Sequence, residues 1–203
     1  MYKRQVIARA PALWPVLRRP TQRFWERGAT RWDERIKPDS AEHLAPLVAA
    51  CERLPTEPVR VLELGTGTGA GALILARRFT QAEVVGVDLS PAMVRAAKQK
   101  VPSAFAERVR FEVADACALP FEDRSFDLVV QVNVPTYFDQ VARVLGPGGH
   151  VAIASSLGAA TPYYTPERLL RRGFERRGLR TVDSGRADKG TFWLAIRPSG
   201  MPR

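Results

Sequence analysis

Three carboxylates stand at or near the ends of apolar runs. Glu63 lies in VLELGTGTGAG (61–71), two residues before Gly65. Asp88 closes the run EVVGVD, and Asp115 follows VRFEVA. After Glu63 come Gly65, Gly67 and Gly69, alternating with Thr66 and Thr68. A residue without Cβ lets the chain turn sharply and lets a ligand touch the backbone. The helix-forming segment that follows, 70–79, points its free N–H groups at that turn. Carboxylates at strand ends accept hydrogen bonds from sugar hydroxyls. This chemistry is recognition of a nucleotide-like ligand at the edge of a parallel sheet.

The glycines alone leave the ligand open. Gly65, Gly67 and Ala70 also satisfy the dinucleotide pattern G-x-G-x-x-G/A. Asp88 suits the ribose of either NAD or S-adenosylmethionine. Three further features separate the two. Glu63 sits inside the strand, Asp115 is followed by Ala116, and a later segment reads RVLGPGGHVAIASS (143–156).

With these motifs the chain resembles the class I S-adenosylmethionine-dependent methyltransferases. It is most similar to the branch of ubiquinone/menaquinone C-methyltransferases and small-molecule methyltransferases. The resemblance covers about residues 58–156 in order. E-x-G-x-G-x-G is Glu63 to Gly69, Asp88 is followed by Leu89-Ser90-Pro91-Ala92-Met93, and Asp115 by Ala116. Phe126-Asp127 opens a fourth strand, and a fifth follows Leu145-Gly146-Pro147-Gly148-Gly149.

The resemblance implies S-adenosylmethionine as cofactor and a small-molecule methyl acceptor. It implies cofactor contacts from Glu63, Gly65, Thr66, Gly67, Gly69, Asp88, Leu89, Met93, Asp115, Ala116 and Asn133. Trp32 joins them through an aromatic-Asp pair, Trp32-Asp33, like one that closes over the cofactor in related enzymes. Glu63 would approach the methionine end, Asp88 the ribose and Asp115 the adenine amine. Asp127 opens its strand at the opposite end of the sheet and is expected to be structural.

The sulfonium methyl is already electrophilic, so holding an acceptor lone pair in line provides much of the acceleration. No catalytic triad is required, and none is present. The weak candidates for a catalytic role are His43, Asn133 and Tyr137. Asn133-Val134-Pro135-Thr136-Tyr137 resembles the Asn-Pro-Pro-Tyr loop of amino-group methyltransferases, with the register lost at Val134 and Thr136. With two histidines and two distant cysteines, no metal site is expected.

The elements that position these residues alternate strand and helix. Strands are expected at 59–64, 83–88, 109–114, 126–132 and 150–155, with helices near 69–79, 91–100 and 136–145. A further helix, 165–177, opens with Thr165 as cap and Pro166 in its first turn. Two strand-like runs, 179–184 and 191–197, form a hairpin across a turn containing Gly185 and Gly190. The fold class is α/β, a Rossmann-like doubly wound, mostly parallel seven-stranded sheet with an antiparallel C-terminal hairpin strand. At 203 residues it reads as one domain. Residues 1–57 supply an arm and a helix (41–54) as a lid, and 58–203 supply the cofactor-binding core. Residues 1–38 read as an irregular arm with short helical pieces, and Trp14, Phe24, Trp25 and Trp32 argue that it packs on something.

The net charge of +10 is uneven. Residues 1–31 carry eight basic groups and one acid, and residues 168–203 carry ten and three, each a net of +7. The section between is net −4. A patch for nucleic acid or an anionic membrane is one reading; a solvated arginine-rich surface is the favoured one. The Tyr2-Lys3-Arg4 start imitates a signal peptide, but Arg9, Pro11 and Pro15 break the apolar run. No run reaches transmembrane length, and the chain is expected in the cytoplasm. A methyltransferase acting on RNA through the basic ends, a non-catalytic cofactor-binding domain and an NAD-dependent dehydrogenase are the competing readings. The acceptor atom and oligomeric state stay open.

Overall fold

The computed structural model describes residues 14–28 and 31–200. The helices are α1 (Trp14–Gly28), α2 (Trp32–Ile36), α3 (Ala41–Cys51), α4 (Ala70–Arg78), α5 (Pro91–Gln99), α6 (Phe138–Val144) and α7 (Glu167–Glu175). The strands are β1 (Arg60–Leu64), β2 (Glu83–Asp88), β3 (Val109–Val113), β4 (Phe126–Val132), β5 (Leu145–Ser155), β6 (Arg180–Ala187) and β7 (Gly190–Ile196). They form one sheet in the order β3-β2-β1-β4-β5-β7-β6. β1 to β5 run parallel, and β7 lies antiparallel between β5 and β6. The expected fold class is the observed one.

Side chains along the central strands alternate between two apolar layers. Val61, Val84, Leu128, Val130 and Leu194 face α3, α4 and α5, where Leu44, Leu47, Leu75 and Val94 pack on them. Leu62, Val85, Val129, Ile153 and Trp193 face α6 and α7, against Val141, Leu170 and Phe174. A strand buried on both faces has no polar positions to spare, which is why these runs read as continuous apolar sequence. Each fully buried Leu, Val or Phe contributes about 1.5–3 kcal/mol over an exposed one. The strand order reverses between β1 and β4, and that point opens a crevice at the C-terminal strand ends.

Asp127 holds the other end of the sheet together. Its Oδ2 accepts from the amides of Val59 and Arg60 at 3.0 and 2.8 Å, so its role is structural.

Four local expectations give way to tertiary packing. The described part of the arm is a fifteen-residue helix, α1, that runs through Pro20. An internal proline costs about 3 kcal/mol, and the aromatic contacts of Phe24 and Trp25 with each other, Trp32 and Tyr163 help offset it. The helix expected at 41–54 ends as α-helix at Cys51. Thr165 does not cap α7: its hydroxyl meets that of Thr136 at 3.1 Å. The hairpin turns at Asp188-Lys189 instead, with Asp188 at φ 51°, and Gly185 lies inside β6 beneath the Phe192 ring.

Candidate active site

The glycine turn sits at the C-terminal end of β1, in the crevice. Gly65, Gly67 and Gly69 all have positive φ, at 69°, 55° and 88°. The amides of Gly65 and Thr66 both donate to the Val87 carbonyl, which pins the turn to the end of β2. A Cβ at Gly65 would meet Val134 Cγ1 at 2.4 Å, so the turn packs against the loop after β4. At Gly67 the nearest neighbour of such a Cβ would be Trp32 Nε1 at 3.7 Å, which leaves that backbone open to a ligand. Trp32, on α2, therefore stands over the turn. Its neighbour Asp33 accepts from the Thr68 hydroxyl at 2.5 Å and pairs with Lys100.

Glu63 lies under the turn rather than in the crevice. It is 3% exposed, and Thr66 Oγ1 donates to its Oε2 at 2.5 Å. The Ala72 amide also donates to the carboxyl. Burial pushes the carboxyl up to about 7, more than those two bonds hold it down. It makes no ion pair with Arg60, which instead stacks over the Phe126 ring. Period-two alternation explains this: three residues apart on a strand, the two side chains leave opposite faces.

Asp88, at the end of β2, is bonded on both oxygens. Oδ2 accepts from the Gly67 amide at 2.9 Å and Oδ1 from the Ser90 amide at 2.9 Å. Burial pushes its carboxyl up, against the bonds from Ser90, Gly67 and Leu89. Those three bonds use three of a carboxylate's about four lone-pair positions, so one remains for a sugar hydroxyl. Ser90 caps α5 ahead of Pro91, as its position suggests.

Asp115 occupies the next corner. Its Oδ1 accepts from the Cys117 amide at 2.9 Å, and its Oδ2 pairs with Arg18 Nε at 3.0 Å. Arg18, Leu89, Val113, Ala114, Asp115, Ala118 and Pro120 enclose a cavity of about 300 Å³. Arg18 escaped the sequence reading because it is one basic residue among eight in residues 1–31, and no spacing distinguishes it. Ala116 packs against the α6 side of the core. Met93 is buried at the start of α5.

The third group gathers at the end of β4. Asn133 adopts φ 55°, in the left-handed region. The Ser156 amide donates to Asn133 Oδ1 at 2.8 Å, which fixes the amide's orientation. Asn133 Nδ2 then faces Ser156 Oγ at 2.7 Å and His43 Nε2 at 3.0 Å. Ser156 Oγ donates to the His43 carbonyl at 2.7 Å. His43 Nε2 must accept, so its lone pair is engaged. Burial lowers the pKa of His43, consistent with a neutral ring. The sequence had no signal for Ser156, which lies 113 residues from His43. Tyr137 is partly buried at the N-terminus of α6; burial, then Cys117, Asp115, Tyr163 and Asp88 nearby, push its phenol up. Burial and Asp115 push the Cys117 thiol up to about 12.

Residues 61–149 match the methyltransferase-domain family. The malonyl-[acyl-carrier protein] O-methyltransferase of Halorhodospira halophila is 36% identical over 145 residues, 68% of this chain and 48% of that protein. The demethylmenaquinone methyltransferase of Thermus thermophilus is 43% identical over 107 residues, 49% of this chain and 48% of that one. The chain spans about half the length of the curated relatives it matches. Among solved structures, the complex of the Haloferax volcanii Trm112 methyltransferase activator with the putative methyltransferase contains a chain of like fold. Its TM-score is 0.71 at 21% identity, covering 86% of this chain and 97% of that one. The glycine turn, the acids at three strand ends and the strand order give this chain the fold of the class I S-adenosylmethionine-dependent methyltransferases, and residues 61–149 are similar to a methyltransferase domain.

Proposed function

We propose that this protein transfers the methyl group of S-adenosylmethionine to a small-molecule acceptor. The observation that carries the reading is the open Gly67 backbone, bonded to Asp88 and flanked by the Arg18–Asp115 slot. The crevice fits the cofactor: a slot for the adenine, an acid for the ribose, and bare backbone for the methionine end. S-adenosylmethionine supplies an electrophilic methyl. The residues of this chain bind, orient and exclude water.

Three titratable groups near the end of β4, His43, Tyr137 and Cys117, are held in their neutral forms. His43 Nε2 is engaged by Asn133, and the Tyr137 and Cys117 protons are held tightly. None is set up to take a proton near neutral pH. The acceptor therefore brings its own lone pair, as a carboxylate, thiolate or amine does. The lid is assembled from the arm and the loop after β5, where Trp25 meets Trp32 at 5.3 Å and Tyr163 at 6.5 Å between ring centroids.

Several basic groups near the ends are already partnered. Arg18 pairs with Asp115, Arg177 with Asp139 and Arg171 with Glu167. This favours a small-molecule acceptor over RNA. Among the described residues no helix is long and apolar enough to cross a membrane; the two free thiols agree with work in the cytosol.

The test is thermal denaturation with S-adenosylhomocysteine, then labelled S-adenosylmethionine with a small-metabolite pool. At a hundred times its dissociation constant the ligand adds about 2.7 kcal/mol. A stability gain with NAD alone would replace the cofactor. Cofactor binding with no label transferred to any small molecule would leave a non-catalytic domain.

A further inference from the structure

A second cavity, of about 210 Å³, opens on the α7 side of the sheet and shares no lining residue with the Arg18–Asp115 slot or the glycine turn. Two cross-strand rows form its floor. Ile153, Trp193 and Ser184 are register partners, and so are Ser155, Thr191 and Arg186. Register partners leave a sheet on the same face, so these six side chains point one way. The inner row is mainly apolar, and Leu170 of α7 joins Ile153 and Trp193 in one apolar layer. The outer row is polar. Thr165 and Glu167, at the start of α7, close the rim. Ser155 is 7% exposed, and its hydroxyl has no hydrogen-bond partner among the described residues. Arg186 is exposed and makes no ion pair among the described residues. Glu167, the acid of the lining, is occupied by Arg171 at 3.1 Å. The first turn of α7 has no side-chain cap, which adds partial positive charge.

We propose that this cavity binds a small organic acid, with its carboxylate between Arg186 and Ser155 and its apolar body on Ile153, Leu170 and Trp193. Arg186 lies two strands from Ser155, about 10 Å by backbone, a gap that a long guanidinium arm and a carboxylate together span. A guanidinium takes a carboxylate by two parallel bonds. The Ser155 hydroxyl gains the partner it lacks, which removes the cost of a buried, unpaired group. One cation in the lining matches one negative charge. A dianion such as phosphate would set its second charge toward Glu167, and like charges repel. The inference does not depend on the methyl-transfer reading. The cavity adjoins that site, since Thr165 meets Thr136 at 3.1 Å and Ser155 precedes Ser156, whose amide holds Asn133. As a water-filled groove beside a solvated arginine, the same residues would show no preference for an acid over its uncharged amide.

The test is NMR titration of the full chain with isovalerate, isovaleramide and inorganic phosphate, followed at the indole N–H of Trp193, which lies in the cavity wall. Isovalerate should shift that resonance saturably, with a dissociation constant on the order of 1 mM. Isovaleramide has the same shape without the charge and should bind at least about tenfold more weakly. Arg186→Gln, at an exposed position, should weaken the acid about tenfold and leave S-adenosylhomocysteine affinity unchanged. Ser155→Ala should weaken it about threefold. Melting of the ligand-free forms checks that both variants are folded. No saturable shift, equal binding of acid and amide, or full affinity in Arg186→Gln overturns the acid site. Tighter binding of phosphate than of isovalerate overturns it as well. S-adenosylhomocysteine is titrated into the same samples. Its binding without any response to the acid leaves the cofactor reading standing, and its failure to bind counts against that reading alone.

Discussion

Glu63→Gln tests the most unusual electrostatic feature of the site. Glu63 is buried under the glycine turn, and its carboxyl is pushed from an ordinary 4.5 up to about 7. Desolvation is the main cause and outweighs the bonds from Thr66 and Ala72. Between those two values the folded protein holds the proton and the unfolded chain does not. Stability therefore falls as pH rises there. The contribution of Glu63 is complete below about pH 4.5 and lost as pH passes through about 7. At 1.36 kcal/mol per pH unit, the loss by pH 8 is about 3 kcal/mol. For a chain of this size that is roughly 6–12 °C in melting temperature. Glutamine keeps the shape, accepts through its single amide oxygen and cannot ionise. Urea titrations of both forms at pH 5, 6, 7 and 8 give the difference directly, and groups common to both cancel. The wild type should lose about 2.5 kcal/mol relative to Glu63→Gln across that range, the rest of the loss falling below pH 5. Thr66→Val, which removes a bond favouring the ionised form, should steepen the loss. Parallel curves for wild type and Glu63→Gln would refute the argument.

Asp88→Ala removes a charge-assisted acceptor for the ribose and should weaken S-adenosylhomocysteine about ten- to a hundred-fold by calorimetry. Asp127→Asn, at the other end of the sheet, should lower the melting temperature and leave that affinity unchanged. Gly71→Ala would place a Cβ 1.9 Å from Glu63 Oε1 and should destabilise the fold by more than about 2 kcal/mol in urea. Gly67→Ala meets only Trp32 Nε1, at ordinary van der Waals distance, so its cost is the φ of 55°, about 1–2 kcal/mol of stability, while cofactor affinity falls. Asn133→Asp replaces a donor with a carboxylate facing His43 Nε2, and NMR titration should show the depressed His43 pKa rise. Deleting residues 1–38 should reduce turnover far more than cofactor affinity, because the aromatic cover and acceptor orientation go together. Full turnover by the shortened chain would remove the arm from the lid.

The seven-stranded sheet, its antiparallel last strand and the crevice were legible in the sequence. Continuous apolar runs, glycine spacing and acids at strand ends are local signals, and local sterics decide them. Asp88 and Asp115 could be placed at the crevice because a strand's end is visible in its own residues. What their oxygens touch could not. The Asp88 bond to Gly67 spans 21 residues, and the Asp115 pair with Arg18 joins segments that no short-range pattern connects. Glu63 was legible as a buried acid near the turn, but only packing decided that Thr66 and Ala72 would take it. The same holds at His43. Its sequence neighbours say nothing, and its neutral tautomer follows from an Asn133 amide oriented by Ser156. The helical arm, with Pro20 inside it, is the clearest tertiary override: aromatic contacts help to offset a cost that local propensity alone would refuse.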